Sequence, residues 1–126
     1  MLYYVTLGTN DLAKARTFYG ATLAPLGLAA IQDSKSETGY GRSGDADPTL
    51  YITIPYDNQP ATQGNGTMLA LTAQTRAEVQ AFHAAALANG GTDEGAPGLR
   101  YSANFYSCYV RDPDGNKLSA VCTQPE

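Results

Sequence analysis

Two stretches of this chain repeat each other at an offset of 64 residues, which restricts the folds open to it more than any other feature. Tyr4-Val5-Thr6-Leu7, a turn, and Asp11 through Ala24 run parallel to Met68-Leu69-Ala70-Leu71, a turn, and Thr75 through Ala88. Phe18 falls on Phe82, Ala21 on Ala85, Leu23 on Leu87 and Gly27 on Gly91. A period this long marks a duplicated supersecondary unit rather than a solenoid. Two like units commonly enclose a site between them.

The local patterns define the unit. Tyr3 to Gly8 is rich in β-branched and aromatic residues and alternates, which predicts a strand. Asp11 is placed to cap a helix whose buried face carries Leu12, Ala15, Phe18, Tyr19 and Leu23, ending at Pro25 and Gly27. Short strands are expected around 29–32, 39–42 and 50–54, with polar turns at 33–37 and 43–48. The second unit opens with a strand at 67–72. Thr75 and Glu78 stand at capping-box spacing, Val79, Phe82, His83, Ala86 and Leu87 form the buried stripe, and Asn89-Gly90-Gly91 ends the helix. A long Gly-rich loop is expected to Leu99, then strands at 105–110 and 116–123 joined by Arg111-Asp112-Pro113-Asp114-Gly115-Asn116. Helices are expected near 11–24 and 76–89. Each half reads β-α-β-β-β: unit one 1–56, a Gly/Pro/Asn-rich linker 57–66, and unit two 67–126, together one domain.

Composition bounds the partners. The 126 residues are 43% hydrophobic and 16% charged, with a formal charge of -4 and no cluster of Lys or Arg. That argues against nucleic acid and against anionic membrane surfaces. No apolar run approaches the length of a membrane span, and Met1-Leu2-Tyr3-Tyr4 lacks the features of a signal peptide, so a cytoplasmic protein is expected. Cys108 and Cys122 form neither a metal spacing nor a disulfide framework. Nine tyrosines and no tryptophan suit a pocket wall, an interface or a strand surface.

The paired units, with Asp11-Leu12 and Phe18-Tyr19 in the first and Asp112-Pro113-Asp114-Gly115-Asn116 near the end, resemble the vicinal oxygen chelate superfamily over roughly residues 2 to 123. That group holds glyoxalase I, bleomycin resistance proteins, fosfomycin-modifying enzymes and extradiol dioxygenases. The linker, from Tyr56-Asp57-Asn58-Gln59-Pro60 through Gly64-Asn65-Gly66-Thr67-Met68, resembles that of small bacterial glyoxalase-like proteins of unassigned activity. The resemblance implies an α+β fold: two tandem βαβββ units forming a partly open, curved-sheet barrel with helices on the outside. It also points to a homodimer with the cleft near or between subunits. In metal-using members the ligands, His and Glu, come from the first and last strands of each unit.

Those positions fall here on Tyr4, Met68, Ser119 and, near the end of unit one, Ile52 or Thr53. Phenol, thioether and hydroxyl groups make no recognised divalent set, so no metal cofactor is expected. The carboxylates all fall in expected turns, loops, caps or helix. His83, the one histidine, is expected to pack beside Phe82.

Alternation then assigns the cleft. With Val5 and Leu7 toward the helix, Tyr4 and Thr6 face the cleft, as do Met68 and Ala70, and Ser119 and Val121. A final hairpin pairing Tyr109 with Leu118 places Cys108 opposite Ser119 and brings in Tyr106. Thr53 joins from unit one. Arg100 and Tyr101 stand where an anion clamp is conceivable, although a solvated arginine is the plainer reading. The ligand-binding set expected is therefore Tyr4, Thr6, Thr53, Met68, Tyr101, Tyr106, Cys108 and Ser119, a pocket for a small apolar or aromatic molecule. Neither Cys108 nor Ser119 has the base a nucleophile needs, and no catalytic residue is assigned. Two alternatives stay open: a lyase, isomerase or dioxygenase with atypical metal ligands or with tyrosine acid–base help, and a dimeric interaction module whose cleft its own side chains fill.

Overall fold

The structure, a computed structural model, describes residues 1–126. The first half contains β1 (Val5–Gly8), α1 (Leu12–Leu23), a 3-10 turn (Ala24–Leu26), β2 (Ala29–Asp33), β3 (Glu37–Gly41) and β4 (Leu50–Thr53). The second contains β5 (Met68–Thr72), α2 (Arg76–Ala88), β6 (Thr92–Leu99), β7 (Tyr106–Arg111) and β8 (Lys117–Cys122). Each half makes one four-stranded sheet, in the orders β1-β4-β3-β2 and β5-β8-β7-β6. The first strand of each half lies parallel to its last, β1 on β4 and β5 on β8, and all other pairings are antiparallel. The sequence repeat is thus a repeat of topology, and the fold is the expected α+β tandem. Within one chain the two sheets remain separate and do not close into a barrel.

The helices start where the caps require. The Asp11 side chain accepts from the Lys14 N–H at 3.0 Å, and the Thr75 hydroxyl accepts from Glu78 N–H at 3.1 Å. Glu78 returns its carboxylate to the N–H of Gln74, one residue before the cap. At the other end of α2, Gly90 takes a φ of 96°, which a side chain would strain, and the Gly91 N–H closes on the Ala86 carbonyl at 2.8 Å.

Three expectations are corrected. The segment to Leu99, expected as a loop, is strand β6. It tolerates Gly95, Pro97 and Gly98 because it is an edge strand, pairs only with β7, and absorbs its irregularity in register shifts around Gly95. Strand β3 begins at Glu37, which was assigned to a turn, so a carboxylate stands in a sheet after all, as do Asp33, Asp93 and Glu94. Leu87, expected in the buried stripe of α2, is exposed.

The helices lie against one face of each sheet and touch each other. Ala15, Phe18, Tyr19 and Leu23 of α1 and Val79, Phe82 and Ala86 of α2 are buried in a single core with Tyr40, Leu50 and Ile52 of the first sheet and Val110, Leu118 and Ala120 of the second. Each large side chain here contributes about 1.5–3 kcal/mol by burial. Both inner sheet faces look into this shared core, so both outer faces point away from it.

Candidate functional site

Pairing registers decide which side chains reach the outer faces. In the first sheet Val5 lies beside Leu50 and Leu7 beside Ile52 on the inner face, which leaves Thr6 beside Tyr51 and Gly8 beside Thr53 on the outer one. In the second, Leu69 and Leu71 lie beside Leu118 and Ala120 on the inner face, and Ala70 lies beside Ser119 on the outer one. Tyr4, Thr6, Thr53, Met68 and Ser119 therefore take the faces that alternation assigned them.

Tyr106 and Cys108 do not. Strand β7 pairs Tyr109 with Ser119, and Cys108 with Ala120, one residue off the expected register. A slip of one residue exchanges every side chain between faces. Tyr106 and Cys108 face α2: the Tyr106 hydroxyl accepts from Gln80 Nε2 at 2.9 Å, Arg76 stacks over its ring at 5.3 Å, and the Cys108 thiol points to the Val79 carbonyl at 3.7 Å. Burial pushes the Cys108 thiol above its ordinary value, which keeps it protonated and a poor nucleophile.

The outer face of the first sheet is hollow. A cleft of about 490 Å³ is lined by Tyr4, Thr6, Ser36, Glu37, Thr53, Ile54, Pro55, Tyr56 and Asn58. A neighbouring hollow of about 230 Å³ is lined by Tyr4, Thr6, Glu37 and Tyr51. The Tyr4 and Tyr51 rings meet edge to face, 5.2 Å between centroids at 78°. Gly39 makes this wall possible: a Cβ there would come within 2.7 Å of the Pro48 Cβ and 3.1 Å of the Tyr51 ring. Tyr51 and Glu37 were missed in the sequence, yet Tyr51 stands two residues before Thr53 and Glu37 two before Gly39, on the same face of their strands.

The outer face of the second sheet is filled. Tyr109 lies between Arg100, 5.0 Å from its ring centroid, and Lys117, 5.5 Å away. Arg100 is held by nearby backbone, donating to the carbonyls of Ala96, Gly98 and Ser107, so its guanidinium is engaged within the chain. Tyr101, at a φ of 65°, is exposed and packs its ring on Phe105. The neighbouring Tyr109 hydroxyl raises its hydroxyl above the ordinary value. Ser119 is fully buried beneath this layer with an unpaired hydroxyl, while Met68 is 44% exposed at the sheet's other edge. Neither hollow on the first sheet is lined by Met68 or Ser119.

His83 is half-buried and pairs with Asp93 of β6 at 2.8 Å, tying helix to sheet. Asp112 is buried in the turn between β7 and β8. Its carboxylate accepts from the N–H groups of Asp114 and Asn116, from Asn116 Nδ2, and from the Tyr19 hydroxyl at 2.5 Å. The Asp-Pro-Asp-Gly-Asn sequence is thus structural.

Residues 2–119 match the model of the Glyoxalase/Bleomycin resistance protein/Dioxygenase superfamily. The chain belongs to that superfamily. A glyoxalase/bleomycin resistance protein from Albidiferax ferrireducens T118 is 44% identical over 94% of both chains, with a TM-score of 0.84. A glyoxalase/bleomycin resistance protein/dioxygenase family enzyme from Burkholderia phytofirmans PsJN, 20% identical over 98% of both chains, superposes with a TM-score of 0.76. The fosfomycin resistance protein FosX from Listeria monocytogenes, 20% identical over 96% of this chain and 91% of its own, gives 0.68. The last two share the fold alone. No curated protein matches at a significant level.

The ligand set that the superfamily resemblance implies does not fit a divalent ion here. Of Ile52 and Thr53, only Thr53 lies on the outer face, and it joins Tyr4, Met68 and Ser119 as hydroxyl, phenol and thioether groups. No three His, Cys, Asp or Glu side chains gather anywhere in the chain. Glu37 is the one carboxylate lining the hollows.

Proposed function

We propose that this member of the superfamily binds a small apolar or aromatic molecule, without the superfamily's metal, on the tyrosine-walled outer face of its first sheet. The observation that carries this reading is the hollow bounded by the edge-to-face pair Tyr4 and Tyr51, with Thr6, Thr53 and Glu37 as its polar groups. An apolar wall with a few polar groups is the ordinary composition of a small-molecule site. A homodimer belongs to the same proposal. Buried free cysteines at 108 and 122 accord with a reducing cytoplasm.

Native mass spectrometry of protein purified without added metal tests the reading. The expected spectrum shows a dimer carrying a small organic adduct, or taking up an added neutral aromatic such as benzyl alcohol, and the melting temperature is unchanged by EDTA. One equivalent of zinc, nickel or iron per chain would overturn it.

A further inference from the structure

The two outer faces treat their tyrosines oppositely. On the second sheet the chain supplies its own cations, Arg100 and Lys117, to the ring of Tyr109. On the first sheet the rings of Tyr4 and Tyr51 have none. No lysine or arginine lines either hollow, and the Glu37 carboxylate facing them enters no ion pair. Arg16, whose guanidinium reaches the Glu37 backbone carbonyl, is held by Asp33, Thr38 and Ser34.

A second carboxylate adds to this field. Asp47 accepts a hydrogen bond from the Tyr3 hydroxyl at 2.6 Å, and Tyr3 packs on Tyr4 with ring centroids 5.8 Å apart. Burial, followed by Glu37 and Asp47, raises the Tyr51 hydroxyl above its ordinary value. The π-faces of tyrosine carry negative potential, and an aromatic wall beside a carboxylate is the arrangement that recognises an ammonium head.

We propose that the hollow bounded by Tyr4, Tyr51 and Glu37 selects a small organic monocation, an ammonium group carried on an apolar or aromatic body. This rests on the binding reading above and adds the charge of the ligand to it. The ammonium lies against the two rings with Glu37 as its counter-charge, and the apolar body extends along Thr6 and Thr53 toward Tyr56.

Ligand-observed NMR titrations of the whole protein test it with three soluble probes: benzyltrimethylammonium, benzyl alcohol and phenylacetate. The cation is expected to bind about tenfold more tightly than the neutral alcohol, and the anion more weakly than either. Glu37→Gln is expected to lower affinity for the cation about fivefold and leave the alcohol unchanged, and added salt to weaken the cation alone. Tyr51→Leu removes the ring without altering charge and should weaken both cation and alcohol. Asp47→Asn, at an exposed position, provides a second charge variant if Glu37→Gln fails to fold. Equal affinity for cation and alcohol, or charge variants that bind the cation as the native chain does, would overturn the inference and leave the binding reading standing. No binding of any probe would overturn both.

Discussion

Hydrogen-bond donors surround the buried Asp112 carboxylate, and one of them, the Tyr19 hydroxyl, comes from the other half of the chain. Burial, with Asp112 beside it, drives the Tyr19 hydroxyl well above its ordinary value, so it remains a donor across any working pH. Tyr19→Phe removes that donor and leaves the carboxylate short of a partner. The expected loss is about 2 kcal/mol in urea denaturation, the range for hydrogen bonds to charged groups. Cys108 and Cys122 are both buried, and the Cys108 thiol is raised by that burial. The expected outcome with a thiol reagent at mildly alkaline pH is no labelling of native protein and labelling at both positions once it is unfolded. Residues such as Tyr4, Thr6 and Met68 had faces that could be read from alternation, because each sits in a strand whose neighbours are plainly apolar. Tyr106 and Cys108 could not be read that way. Every position of β7 from Tyr106 to Val110 is acceptable on either face, so only the closure of the turn after it decides.

That closure is a property of the element. Asp112 N–H bonds to the Asn116 carbonyl and Arg111 pairs with Lys117, which sets the parity of the β7–β8 hairpin. The parity depends on how many residues the turn holds, and turn composition predicts a turn better than it predicts its length. Strand β6 was illegible for a related reason: its glycines and proline read as a loop, and only the neighbouring strand makes them ladder positions. A hydrogen bond from His83 and an ion pair with Arg111 tie this edge strand down. His83 holds Asp93 below its ordinary 3.8, and Arg111 holds Glu94 below its ordinary 4.5. Groups with depressed folded values stabilise the fold above their unfolded values and cease to do so as pH falls through the folded ones. Protection factors of the β6 amides, taken against intrinsic exchange rates at each pH, should therefore fall on acidification below those ordinary values, and an Asp93→Asn, Glu94→Gln double variant should show the lower protection at neutral pH as well. In β3, Gly39 lies under Pro48 and Tyr51. Gly39→Ala forces a methyl against a rigid ring and is expected to cost about 1–3 kcal/mol in denaturant melts, and to weaken aromatic probes by moving Tyr51.

For the molecule as a whole, the architecture was the most legible level, since a duplicated pattern constrains topology without needing registers. Its open form leaves work for a partner. Met1, Leu2, Tyr3 and Tyr4 are exposed apolar residues, and a groove of about 170 Å³ beside them runs from Val5 and Leu50 to Leu69 and Leu71. Contiguous apolar surface along unpaired strand edges is what a second copy covers. Light scattering is expected to give twice the chain mass of 13.3 kDa, with an interface above roughly 1,000 Å² in total, and Leu2→Glu should shift the protein toward monomer.

The turn after β7 reaches across the molecule. Asp114 holds the Thr9 hydroxyl and the Asn10 N–H, and Asn116 Nδ2 holds the Gly8 carbonyl. The corresponding turn of the first half, residues 42–49 between β3 and β4, makes no side-chain hydrogen bond to the second half in return: Asp45 accepts from the Arg42 N–H and Asp47 from the Tyr3 hydroxyl. Two halves of like topology are thus joined by an unlike contact. One half grasps and the other is grasped.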